Sequence, residues 1–266
     1  MPDFDAAPMS ELMVPAPHFD VREFARTAVG SHRADLDLDA YADAKLDPAT
    51  VRALAYLHNT ERATMSQLRS VLVTATHKDA RITAFLTTWA FEKFWIADAL
   101  EAIVSAHDAF EKPATVVSAE HASPIRESFV GNVIGVPMIG VHMTFCMVDE
   151  WITQAAYRRI AELDPHPQLR AAIDRILDVK ARHLDFLEAQ SRYRLTESPR
   201  VRRLSRKRLK RADWPIGAAT EPRPETRFFY ERLFATAPDV VNDLDEQIGS
   251  LPGQEGLTLV AKATNR

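Results

Sequence analysis

The chain holds 266 residues, with 33 Lys and Arg against 37 Asp and Glu, for a formal net charge of −4. An apolar share of 46% and a charged share of 26% exclude a disordered chain, a collagen-like repeat and a disulfide scaffold, and leave room for one large domain or two small ones. Only 8 glycines favour helix over sheet, and the single cysteine, Cys146, rules out an internal disulfide and points to a reducing, cytoplasmic setting.

Residues 1–47 read as an N-terminal arm. Its beginning, Met1 to Val14, carries Asp3, Asp5 and Glu11 and no basic stretch, unlike a signal peptide. A short helix near Val21 to Val29 is expected to pack outside the main body, followed by the acidic run Asp35, Asp37, Asp39 and Asp43. Residues 48–195 carry four long helical patterns. The first runs from Pro48 to Thr76, with Leu54, Leu57, Met65, Leu68 and Leu72 on one face. The second follows the N-cap Asp79 and continues to Phe110, with a stripe of Ile82, Phe85, Trp89, Ile96 and Ile103. The third spans Pro137 to Leu163 and the fourth Pro167 to Arg194, each opened by a proline at the first helical position.

Short turns at His77-Lys78 and at Asp164 to Pro167 make two antiparallel hairpins, and the connector of residues 111–136 joins them into a four-helix bundle with one crossover. The apolar run Phe129 to Val148 contains Pro137, Asn132 and His142, so it reads as a buried bend and helix start, and no membrane span is expected. Residues 196–266 read as a basic helix and a helical extension packed on the bundle. Residues 200–211 are dense in Lys and Arg, residues 213–224 form a loop, Phe228, Phe229 and Tyr230 lie on an aromatic helix, and residues 238–251 form the last helix.

Ionisable residues interrupt the apolar stripes at one level. Glu61 lies between Leu57 and Met65, Glu92 between Trp89 and Ile96, and Glu150 follows Met147, while Lys180 and His183 break the stripe of the fourth helix. Glu61 stands 16 residues before His77 and Glu92 15 after it; Glu150 stands 15 before Pro165 and Lys180 15 after it. Equal counts from a turn mean equal heights in a hairpin, roughly 22–24 Å at 1.5 Å per residue. Unpaired buried charge is too unfavourable to be filler, so these groups are expected to meet.

This layout resembles the ferritin-like di-metal carboxylate proteins, which use one Glu from each of two helices and a Glu-x-x-His from each of the other two. The segment Val179-Lys180-Ala181-Arg182-His183 is similar to the Asp-Glu-Val/Ala-Arg-His segment of acyl-carrier-protein desaturases. The resemblance covers residues 50–195 and departs at two of six ligand positions. Trp95 stands for one His and Lys180 for the bridging Glu. The resemblance implies an all-α, ferritin-like fold and oxygenase- or desaturase-like chemistry on an apolar or acyl-type molecule in the core.

Three states of the site remain open. In the favoured one the site is metal-free: Lys180, beside Glu61 and Glu92, replaces cation charge and Trp95 fills the vacated volume. In the second, Glu92, Glu150 and His183 hold a single Fe or Mn ion. In the third, the cluster is an inert relic, since a buried ion-pair network persists when losing one partner orphans the other. The catalytic candidates are Lys180, Glu61, Glu92, Glu150 and His183; a non-catalytic ligand- or partner-binding protein is the alternative. Trp89 and Trp95 read as core aromatics, Tyr157 as a core residue with a radical role as the alternative, and His58 as a partly exposed residue. The run 200–211 is a solvated face paired to the acidic body, or a dock for an acidic carrier protein or coenzyme A phosphates. Nucleic acid is disfavoured by the acidic remainder, and the aromatic segment packs across the bundle or forms a homodimer contact.

Overall fold

The computed structural model describes residues 19–107, 134–212, 216–217 and 221–265. The beginning of the N-terminal arm, most of the expected crossover and most of the loop after the basic run lie outside them. Among the described residues the architecture is all-α, with no strand.

The four long helices fall close to the sequence reading. They are preceded by α1 (Val21–Arg26) and α2 (Ala40–Asp43). Helix α3 (Pro48–Leu72) starts where the Asp47 side chain accepts the Ala49 amide and Pro48 presets the first turn. It stops at Leu72 rather than Thr76, because Thr74 caps a separate 3-10 turn over Ala75–Lys78. Helix α4 (Ala80–Ser105) begins at Asp79, whose carboxylate accepts the amides of Arg81 and Ile82. Helices α5 (Pro137–Leu163) and α6 (Pro167–Glu197) form the second hairpin. The turn residues make α3 pack along α4 and α5 along α6, and the two hairpins meet through α3 with α5 and α4 with α6.

The rest of the chain wraps this body. Helix α7 (Pro199–Arg211), capped by Ser198, lies along α5. The two helices approach closely at Gly140, where a Cβ would stand 2.6 Å from Val201 Cγ1. Helix α8 (Arg223–Phe234) packs on α3 and α5, with Phe229 stacked on Tyr56 at 4.2 Å, so the aromatic segment is largely interior. Helices α9 (Pro238–Gly249) and α10 (Leu259–Thr264) are clasped by Asp245, which accepts the amides of Val260 and Ala261. One continuous core runs from Phe24 through Leu54, Phe85, Met147 and Leu187 to Phe234 and Val260.

Two surface expectations change. Among the described residues the basic helix is held by backbone carbonyls and not by salt bridges to an acidic body: Arg202 donates to the carbonyls of Leu195 and Thr196, and Arg206 to those of Gly253 and Glu255. The short helix ends at Arg26 rather than Val29 and lies against α4, where Phe24 stacks on Phe85 at 5.3 Å. No described helix is long and apolar enough to cross a membrane.

Candidate functional site

Each long helix places one charged side chain in the centre. Glu61 comes from α3, Lys93 from α4, Glu150 from α5 and Lys180 from α6, all at most 1% exposed. Lys180 Nζ lies 2.8 Å from Glu61 Oε1 and 2.8 Å from Glu150 Oε2. Lys93 Nζ lies 3.0 Å from Glu61 Oε2 and 3.4 Å from Glu150 Oε1. Each carboxylate therefore spans both ammonium groups, one oxygen to each, and the four side chains close into a ring of zero net charge.

Aromatic groups complete the ring. Tyr157 donates its hydroxyl to Glu61 Oε1 at 3.1 Å, and the Trp89 indole N–H donates to Glu150 Oε1 at 3.0 Å. Lys93 also sits 4.7 Å from the Trp89 ring centroid, a cation–π contact. Burial raises the pKa of both glutamates, but Lys180 and Lys93 outweigh it, holding Glu61 low and Glu150 well below the ordinary carboxylate range. Burial would strip the proton from Lys93, yet Glu61, Glu150 and Asp149 together raise its pKa above the usual ammonium value. Burial and the Glu61 carboxylate hold the Tyr157 phenol well above its normal range, so it can only donate.

A second pair lies beside the ring. His183 Nε2 is 2.8 Å from Glu92 Oε2, and Glu92 Oε1 accepts the Val29 amide at 2.8 Å. Arg182 approaches the same carboxylate at 3.5 Å and donates to the carbonyls of Phe24 and Thr27. Helix α1 and the chain after it thus cover this side of the centre, with Phe24 edge-on to His183.

The five residues chosen from sequence are all interior, but their pairing differs from expectation. Lys180 bridges Glu61 and Glu150, whereas Glu92 belongs to His183, Val29 and Arg182. Trp95 does not fill the site: it is half-buried and stands edge-on to the exposed Phe91 and Phe94. His58 is buried, 4.0 Å from Glu101, instead of partly exposed. Lys93 was missed, although it stands 16 residues after His77, the distance at which Glu61 precedes it. It matches that height better than Glu92 does. Asp149, 3.9 Å from Lys93, was missed too; burial, opposed by Lys93, pushes its carboxyl up to about 7.

The di-metal centre implied by the resemblance does not fit these residues. Two ammonium groups already lie between the carboxylates that would bridge the ions, and a cation added there would be repelled by both. The single-ion set fits no better. Glu92 approaches His183 through Nε2, while Glu150 lies 3.8 Å from the opposite ring nitrogen, Nδ1. One ion cannot share a nitrogen with both carboxylates in this arrangement. Among the described residues no group of three or more His, Cys, Asp or Glu side chains has a metal-holding geometry. No protein-family model, curated protein or solved structure matches the chain.

Proposed function

We propose that this is a ferritin-like protein in which Lys93 and Lys180 have taken the places of a metal pair, and that it works by binding a ligand or partner instead of by metal redox chemistry. The observation that carries this is the ring itself. Glu61 and Glu150 each reach both ammonium groups with separate oxygens, the relation a bridging carboxylate has to two ions in a dinuclear site. Buried carboxylates need cationic partners, and ammonium groups supply the charge without open coordination positions or a redox couple. Lys93 is held protonated by the carboxylates around it, which removes a free amine that nucleophilic chemistry would require.

A second role, acid–base chemistry on a small apolar molecule, is favoured by one feature only. His183 Nδ1 is buried without a hydrogen-bond partner, beside a carboxylate-bound Nε2. Such chemistry would require α1 to move off the Glu92 side. Anaerobic titration with ferrous ion followed by admission of oxygen separates these metal-free roles from metal redox chemistry. The binding role gives no iron uptake and no oxo-bridged ferric absorption. Stoichiometric uptake with such absorption would overturn it.

A further inference from the structure

Helices α5 and α7 border a groove of about 420 Å³ that lies apart from the ring. Ile134, Met138, Val141 and Phe145 supply one wall, the last three spaced along a single face of α5. Leu204, Lys207, Arg208 and Arg211 supply the other, at helical spacing along α7. Among the described residues the lining contains three cations and no acid. Its volume falls within the roughly 300–1,000 Å³ typical of small-molecule sites.

The three cations differ from their neighbours on α7. Arg202 and Arg206 are engaged by carbonyls of the chain, whereas none of Lys207, Arg208 and Arg211 pairs with a carboxylate among the described residues. The Arg208 guanidinium lies over the Phe145 ring at 4.9 Å, and its Nε is buried with no hydrogen-bond partner. A buried guanidinium N–H without an acceptor is unfavourable, and stacking on Phe145 leaves its edge free for an anion. Lys207 and Arg211, one turn apart, can converge on the same anion.

We propose that this groove binds a single-chain amphiphile with a phosphate head, the head on Lys207, Arg208 and Arg211 and the chain along Met138, Val141 and Phe145. Three cations suit a doubly charged phosphate better than a single carboxylate, and arginine matches phosphate in bidentate geometry. The assignment goes beyond the proposal for the core and stands or falls separately from it.

Dodecyl phosphate, kept monomeric and titrated into the full-length protein by calorimetry, tests it. Saturable binding with one molecule per chain is expected. The double substitution Lys207→Ala with Arg211→Ala should weaken binding about tenfold or more, as expected for lost charge-assisted contacts, with the melting temperature unchanged because both side chains are exposed. Absence of binding, or equal binding by the double variant, would overturn the assignment. So would equal binding of dodecyltrimethylammonium, which would show a merely apolar surface, or of inorganic phosphate, which would show that the chain contributes nothing. An acidic amphipathic peptide that binds here where dodecyl phosphate does not would give the groove to a protein partner and overturn it as well.

Discussion

Removing one ammonium from the ring should unbalance it in a way that has a measurable size and pH dependence. Lys180→Met keeps most of the side-chain volume and deletes the charge that lies 2.8 Å from both Glu61 and Glu150. Two carboxylates then share Lys93 alone, and the centre carries one net negative charge at zero exposure. Breaking a buried pair on one side typically destabilises by about 3–5 kcal/mol. At roughly 2 °C per kcal/mol for a chain of this size, the melting temperature should fall by roughly 6–10 °C at neutral pH. In the native ring both glutamates have lowered pKa values, so their contribution is present above the unfolded value of about 4.3 and is lost as pH falls through the folded values. In the variant one carboxyl is crowded by the other and its folded pKa rises above the unfolded one. That contribution grows as pH falls, so the gap between variant and native protein should narrow from pH 8 to pH 5. Adding Glu61→Gln should recover at least about 1 kcal/mol relative to the sum of the single effects, since it removes the orphaned charge. Thermal melts across this pH range decide the matter. An unchanged melting temperature, a pH-independent gap or strict additivity would show that Lys180 is not part of a closed ring.

Other substitutions probe the surroundings. Tyr157→Phe removes a hydrogen bond to a carboxylate and should destabilise by about 1.5–3 kcal/mol in denaturant melts, and Trp89→Phe should act similarly through Glu150. Asp149→Asn should stabilise the protein at pH 8 and not at pH 4. The folded carboxyl, raised to about 7, favours the folded state only while protonated and is increasingly unfavourable as pH rises through that value; a pH-independent effect would contradict this. Gly140→Ala should destabilise by about 1–3 kcal/mol, because its new Cβ meets Val201 on α7; an unchanged stability would show that the two helices can separate without strain.

Much of the fold was legible because helix boundaries here are written in local chemistry. Pro48, Asp79, Pro137 and Pro167 stand at the expected starts, and the two short turns fix the hairpins. The charged centre was legible through counting from those turns, which needs no knowledge of side-chain contacts. The failures came from treating each helix as having one narrow buried stripe. Helix α4 buries a wide arc, so adjacent residues Glu92 and Lys93 are both interior and face different partners. A lysine next to a glutamate on a helix looks like a solvated pair, and Phe91 and Phe94, which look like core, are exposed instead. Trp95 was misplaced for the same reason. The cover that α1 places over Glu92 was also invisible, since a backbone amide from Val29 leaves no mark on the sequence.

The claim that two ammonium groups hold the places of two ions is tested most directly by elemental analysis. The native protein and the Lys93→Ala/Lys180→Ala variant would each be made in iron- and manganese-supplemented medium and analysed with folding verified by circular dichroism. The native protein should carry no stoichiometric metal, whereas the folded double variant, with Glu61 and Glu150 freed, should acquire a divalent cation. One or two ions per native chain, with the lysines present, would contradict the claim.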